Sequence, residues 1–264
     1  MILDQAWEKM TATGQLADRK VHFQTQTVST NDDALGLARA GAASGTLVVA
    51  ERQSQGRGRL GREWLSPPGV GLYCSLILRP QLDPADLPKL TLAAGLAASR
   101  AVELVTGLRP LLKWPNDLWL AGKKVGGILA EARFEQGGPV VVLGIGVNVN
   151  TSPDSFPADL QKKVTSLLLH SGREFARSAL LATLWEEVMA MVARLEREGF
   201  TGILADWRER DATLGRELAW LTPSNQVVRG LSLGPDADGL LRIRDGVGQV
   251  HEVISGDIAL AEKI

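Results

Sequence analysis

The chain has 264 residues, 45% hydrophobic and 22% charged, with a formal net charge of −1 at pH 7. This is ordinary globular composition, long enough for one large domain or one plus a small module, and the near-neutral charge excludes a whole-molecule field that would draw in DNA or an anionic membrane. The single cysteine, Cys74, excludes an intramolecular disulfide framework and fits a reducing cytoplasm, while His22, His170 and His251 are too scattered to suggest a zinc site.

Residues 1–20 read as a polar helical or frayed extension; Asp4 and Glu8 interrupt any signal-peptide core. Alternation from Val21 to Val28 predicts a strand. Ser29-Thr30-Asn31, then Asp32-Asp33 ahead of an apolar-periodic run, marks a helix start. Strands are expected over 45–51 and 71–79, with Cys74 as buried filler in the second. Residues 86–106 repeat apolar side chains with helical period. An irregular stretch over 111–120 follows, then an Ala121-Gly122 turn, a strand over 123–132 and a valine-rich strand over 139–149. A long helix is expected over 175–197 and a shorter one over 201–210. Beyond Asp211, short alternating segments are separated by turn signals at 223–225, 236–239 and 245–246, which predicts a small β-barrel or sandwich. No apolar run approaches membrane-spanning length.

The segment joining the strands at 45–51 and 71–79 carries the strongest chemical signal. Residues 51–66, ERQSQGRGRLGREWLS, hold Arg52, Arg57, Arg59 and Arg62 beside Gly56, Gly58 and Gly61. Arginine makes bidentate contacts with phosphate or carboxylate, and glycine lets backbone amides approach an anion. The glycines spell G-x-G-x-x-G, the dinucleotide fingerprint, which requires a helix directly after it. Pro67-Pro68 forbids that helix, and no G-x-x-x-x-G-K-[ST] occurs. A long basic loop able to bind a nucleotide phosphate remains; a merely solvated loop explains Trp64 and the glycines poorly.

Lys113-Trp114-Pro115-Asn116-Asp117 breaks a strand at Pro115 and Asn116, so Lys113 and Asp117 converge near an irregular point. Lys124 stands on the return strand beside Gly126-Gly127, and Gly144-Ile145-Gly146-Val147-Asn148 repeats the glycine signal one strand later. Glycine inside a strand marks close approach of a ligand or another backbone. The bland alternative is a surface hairpin with solvated lysines.

Taken in order, Ser29-Thr30-Asn31, GRGRLGREW at 56–64, KWPND at 113–117, KVGGI at 124–128 and GIGVN at 144–148 resemble the biotin protein ligases (biotin–[acetyl-CoA-carboxylase] ligases) over residues 21–264. The resemblance implies an α/β fold of α+β type. A mixed, mainly antiparallel sheet flanked by helices would form a class II synthetase-like catalytic domain over 21–213. A small SH3-like β-barrel would occupy 214–264. It also implies an ATP-dependent, AMP-forming reaction in which biotin and MgATP give biotinyl-5′-AMP and pyrophosphate. Biotin then passes to one lysine of a biotin carboxyl carrier protein.

The resemblance further implies roles for individual residues. Lys124, Arg57, Arg59 and Lys113 would be catalytic, offsetting charge as a carboxylate attacks a phosphate. Ser29, Thr30, Asn31, Gln53, Gly56, Arg57, Lys124, Gly126 and Gly127 would hold biotin. Arg59, Arg62, Trp64, Lys113, Asn116, Asp117 and Asn148 would hold the nucleotide, with Trp64 stacked on adenine and Asp117 helping to hold magnesium. The adenylate is water-sensitive, so the loop over 52–65 is expected to be mobile and to close over it.

Some members of the family carry an N-terminal DNA-reading module. About 20 residues precede the first core strand here, too few for one, so a cytoplasmic ligase without repressor function is expected. Family members often dimerise, and the apolar strand over 139–147 is the expected edge for such pairing. Two other readings stay open: a lipoate–protein ligase or octanoyltransferase of the same superfamily, and a biotin-sensing protein without catalysis. Single-stranded nucleic-acid binding needs more aromatics along a wider basic groove than this chain offers.

Overall fold

A computed structural model of the chain describes residues 20–221, 227–254 and 258–260; the expected extension over 1–20 lies outside these except for Lys20. Seven strands form the main sheet: β1 (Val21–Gln24), β2 (Leu47–Ala50), β3 (Leu72–Leu78), β4 (Leu111–Lys113), β5 (Asp117–Leu120), β6 (Lys123–Glu135) and β7 (Gly138–Val147). Their order is β1-β2-β3-β7-β6-β5-β4. Only the β1–β2 pair is parallel, so the sheet is mixed and mainly antiparallel as expected.

The expected dimer edge is not an edge. From Val141 to Val147, β7 is paired with β3 on one side and β6 on the other, so that stretch has no backbone left to offer a partner strand; Gly138–Val140 pair with β6 alone. What the valine-rich pattern signalled is a central strand buried on both faces.

Side-chain alternation divides the sheet into two faces. One carries Leu72, Cys74, Leu76 and Leu78 of β3 with Val141, Leu143, Ile145 and Val147 of β7, all in the main core. Against it pack the helices α2 (Lys89–Thr106) and α4 (Arg177–Glu198), with the short α3 (Leu167–Ser171) between them in sequence. Alanines at 93, 94, 97, 98 and 101 keep α2 thin where it meets this layer. Gly107, left-handed at φ 75°, ends the helix and donates to Glu103 O at 2.8 Å. Leu96 is fully buried here, and truncating such a leucine to alanine costs about 2–5 kcal/mol.

The opposite face is only half covered. The helix α1 (Thr30–Arg39) lays Ala34, Leu35 and Ala38 on Val48, Ile77, Val140 and Val142. Further along the same strands the face is left to Tyr73, Ser75, Gly127, Gly144 and Gly146, and the chain from 51 to 71 arches over it.

After α5 (Thr201–Arg208), the strands β8 (Glu217–Leu221), β9 (Val227–Pro235), β10 (Leu241–Asp245), β11 (Val250–Val253) and β12 (Ile258–Leu260) form a second, antiparallel sheet of order β11-β10-β9-β8-β12. Its turn at 236–240 docks on the main sheet. Trp114 Nε1 donates to Gly239 O at 3.0 Å, and Lys89 pairs with Asp86 at 2.7 Å and Asp238 at 3.4 Å. Among the described residues, no helix is long and apolar enough to cross a membrane.

Candidate active site

Three glycines on the uncovered face each seat one side chain. A Cβ at Gly144 would overlap Asn31 Oδ1, one at Gly146 would lie 2.5 Å from Trp64 Cε2, and one at Gly127 would lie 3.2 Å from Lys124 Cε. Real side-chain carbons do not approach as closely as at Gly144 and Gly146, so the bare backbone is what admits Asn31 and Trp64 to the sheet surface; at Gly127 the contact is tight but with the flexible end of Lys124. With Ser29, Thr30, Gln53, Arg57 and Arg59 they enclose a slot whose free volume is about 50 Å³.

The end of the slot nearest α1 is a polar network. The Thr30 backbone N–H and Oγ1 donate to Gln53 Oε1 at 2.9 and 3.1 Å. Ser75 Oγ lies 2.7 Å from Thr30 Oγ1 and 2.5 Å from Asn31 Oδ1. Asn31 Nδ2 donates to Glu131 Oε2 at 2.7 Å, and the same oxygen receives Arg57 Nη2 at 2.7 Å; Asp32 Oδ1 meets that nitrogen at 2.8 Å. Ser29 sits at the helix N-cap with its hydroxyl making no cap bond. The neutral members that line the slot, Ser29, Thr30, Asn31 and Gln53, offer short donors and acceptors that suit an uncharged polar ring system, with the Arg57, Glu131 and Asp32 charges paired among themselves.

The other end is cationic and opens into a second cavity of about 330 Å³, lined by Arg62, Lys113, Asp117 and, from the second sheet, Ile258. Gly58, Arg59, Trp64, Asn116 and Lys124 line both cavities and form the wall between them. Lys124 Nζ meets Asp117 Oδ1 at 2.6 Å and lies 5.5 Å from the centre of the Trp64 ring. Arg59 Nη1 donates to Asn116 Oδ1 at 3.2 Å, and Asn116 Nδ2 donates to Ile128 O at 2.8 Å. Lys113 lies over Trp119, 4.9 Å from its ring centre.

The loop over 52–65 folds as a small arch. Gly58 N donates to Arg62 O at 2.7 Å and Trp64 N donates to Gly56 O at 2.8 Å, which places the Arg57 and Glu63 backbones opposite each other as one antiparallel bridge. A short 3-10 turn, Arg59–Gly61, aims Arg59 at the wall between the cavities.

Most of the sequence-predicted site residues therefore converge, but three do not. Gly126 faces the opposite side of the sheet: it pairs with Val147, and a Cβ there would lie 2.8 Å from Leu118 Cδ1. Only the second glycine of the pair meets the slot, because strand side chains alternate. Gly56 lies outside the lining and serves the neck of the arch, where a Cβ would strike Trp64 O. Asn148 is 5% exposed, donates to Thr165 O at 3.0 Å and lines neither cavity.

Tyr73, Leu129 and Ile258 line the cavities and escaped the sequence reading, as did Ser75, Glu131 and Asp32, which line neither cavity but hold Asn31 and Arg57 from behind. Ser75 interrupts an otherwise apolar strand, which is the signal that marks it; Glu131, on a strand that also carries Lys123, Lys124, Arg133 and Glu135, has no such signal. Cys74 is buried as expected, its Sγ facing Ile145 O at 3.7 Å, and burial pushes its thiol up to about 12. Asp117, the expected magnesium ligand, is already paired with Lys124 and has no cluster of metal-ligating side chains around it among the described residues. A single paired carboxylate is not a protein-held metal site.

A model of the biotin/lipoate A/B protein ligase family matches residues 22–150. A bifunctional ligase/repressor BirA of Bacillus spizizenii is 36% identical over 243 residues, covering 90% of this chain and 73% of that protein. A biotin–[acetyl-CoA-carboxylase] ligase of Mycobacterium tuberculosis is 34% identical over 249 residues, covering 91% and 88%. Among solved structures, a biotin protein ligase from Aquifex aeolicus in complex with biotin and ATP superposes with a TM-score of 0.80 at 30% identity, covering 92% of this chain and 99% of that one.

Proposed function

The chain belongs to the biotin/lipoate A/B protein ligase family, and from that premise we propose a division of labour between its two cavities. The enzyme is a biotin protein ligase that uses biotin and ATP and serves a carboxylase carrier protein. The slot over Gly127, Gly144 and Gly146 takes the bicyclic ring of biotin, with Thr30, Asn31 and Gln53 at its polar end. The second cavity takes the nucleotide. The observation that carries this reading is the wall shared by the two, where Lys124, Arg59, Trp64 and Asn116 meet.

At that wall the carboxylate oxygen of biotin attacks the α-phosphorus of ATP, and pyrophosphate leaves with its electron pair. Two anions must approach, and Lys124 and Arg59 supply cationic donors where charge builds up. Asp117 holds the Lys124 ammonium at the wall. Magnesium bound to the triphosphate would supply further charge neutralisation there; among the described residues no carboxylate cluster would hold it by itself. In the second half, a carrier lysine amine attacks the acyl carbon of the mixed anhydride and AMP departs. The arch over 52–65 covers that anhydride and limits hydrolysis.

We assign residues 21–213 to this chemistry and 214–264 to an appended module whose Ile258 borders the nucleotide cavity. The polar end, built for a neutral ring with both donors and acceptors, favours biotin over the apolar chain of lipoate. Biotin-dependent exchange of pyrophosphate into ATP tests the reading. Exchange is expected with biotin and not with lipoate, and absence of biotin-dependent exchange overturns it. Lys124→Ala should lower the rate on the order of 10²–10³-fold.

A further inference from the structure

The arch over the slot springs from two roots, Glu51 at the end of β2 and Gly71 before β3, and one side chain from outside the site binds both. Arg177, the first residue of α4, places Nη1 2.8 Å and Nη2 3.3 Å from the two carboxylate oxygens of Glu51. The same Nη1 donates to Gly71 O at 3.2 Å. Arg177 and Glu51 side chains are 8% and 11% exposed. The roots also meet directly, Gly69 N donating to Glu51 O at 3.3 Å.

Tyr73 extends this cluster into the slot. Its ring lines the floor, its hydroxyl donates to Pro67 O at 3.0 Å inside the returning limb, and its ring fills the space a side chain at Gly71 would need. Burial holds the phenol well above its usual range, so it remains a donor at any physiological pH. On the outgoing limb, Gln53 lies two residues past Glu51 and donates through Nε2 to Ser66 Oγ at 2.9 Å. Both limbs are thus fixed within a few residues of the pair, and between them hang Arg57, Arg59 and Trp64.

Packing does not explain an arginine at this position. A cation in the first turn of a helix opposes the helix dipole, and a buried ion pair is weak evidence for stability because desolvation offsets its attraction. Its planar two-point contact does fix direction. We infer that Arg177, through Glu51 and Gly71, is a positioning residue for the arch, setting where Arg59 and Trp64 meet the adenylate without touching substrate. This rests on the biotin ligase reading and adds a residue outside the site's lining.

The test separates geometry from stability. In the double variant Arg177→Met/Glu51→Leu, both charges are replaced by apolar side chains of similar size, so the cost of an unpaired buried charge is avoided and the stability loss is confined to the contact with Gly71 O. Displacing reacting groups by about 1 Å can cost on the order of 10²-fold in rate. We expect the folded double variant to show at least a tenfold higher KM for ATP (about 1.4 kcal/mol of differential binding) and faster escape of biotinyl-adenylate into solvent. A folded double variant with parent-like KM for ATP and parent-like adenylate retention overturns the inference, whatever its melting temperature. If the double variant does not fold, Arg177→Lys, which keeps the charge but loses the two-point contact, decides on the same two readouts. Parent enzyme without biotin-dependent exchange would instead overturn the assignment of function, a distinguishable failure.

Discussion

Lys124 and Asp117 are brought face to face by the β5–β6 hairpin, with Nζ and Oδ1 2.6 Å apart at the wall between the two cavities. The register places Asp117 opposite Gly127, and a bulge between Leu118 and Trp119 lets Lys124 reach back across it. The carboxylate therefore fixes the lysine at the wall where, in the proposed reaction, two anions meet. Asp117→Asn keeps the shape and removes the charge, leaving Lys124 less tightly held. We expect kcat for adenylation to fall about tenfold, within the range of a lost charge-assisted hydrogen bond, with biotin affinity little changed. Single-turnover adenylation beside equilibrium biotin binding checks this; an equal loss in both measurements contradicts it.

The glycine floor predicts separable defects. Gly144→Ala drives a methyl into Asn31 Oδ1, which is held by Ser75 and Glu131 through a buried network and cannot retreat. Overpacking of this kind typically costs about 1–3 kcal/mol, and biotin affinity should fall with it. Gly127→Ala meets only the flexible end of Lys124 at 3.2 Å. Its stability should be nearly that of the parent while adenylation slows. Calorimetric biotin binding and melting curves for the pair test the distinction, and matching profiles would refute it.

Trp114 links the second sheet to the site. Its indole N–H donates to Gly239 O, and two residues on, Asn116 accepts from Arg59. Trp114→Phe leaves a buried carbonyl unpaired, an expected loss of about 1–3 kcal/mol in stability. Because the same strand break carries Asn116, KM for ATP should rise as well. A stability loss with an unchanged KM would show that the turn at 236–240 is structural only.

Asp211, between α5 and β8, supplies a pH signature. Burial raises its carboxyl above the ordinary range against the lowering effect of the Thr213 hydroxyl and N–H, and Oδ2 has no hydrogen-bond partner among the described residues. A carboxyl with a higher pKa folded than unfolded binds more protons when folded, so its charge costs stability above the folded value. That cost fades as pH falls toward the unfolded value. Asp211→Asn should raise the melting temperature at pH 7.5, with the gain shrinking toward pH 4. A gain that does not vary with pH would show that ionisation is not its cause.

Periodicity and motif order were enough to foresee five strands of the main sheet, the two long helices and the convergence of Lys124, Arg57, Arg59 and Trp64; the stretch over 111–120, expected to be irregular, instead forms β4 and β5 on either side of the break at Trp114–Asn116. Fine placement was not legible for physical reasons. Gly126 and Gly127 look alike in one dimension, and only the register against Val147 and Gly146 decides which faces the slot. The valine run of β7 reads equally well as a sticky edge or a buried centre, and only its two neighbours tell them apart. Asn148 closes a recurrent motif yet donates to Thr165, a contact made by a chain segment 17 residues away. Arg177 carries no motif at all; its importance comes from meeting Glu51 across 126 residues of sequence.

A pocket floored by main chain has a practical meaning for anyone redesigning it. Shape at Gly127, Gly144 and Gly146 is already at its largest, so no substitution there can make room for a bulkier biotin analogue. Selection for such analogues should instead accumulate changes in the side chains around those glycines, at Leu129, at Asn31 and along the arch. Libraries directed to those positions will sample new substrates, whereas libraries directed to the floor will mostly yield inactive clones.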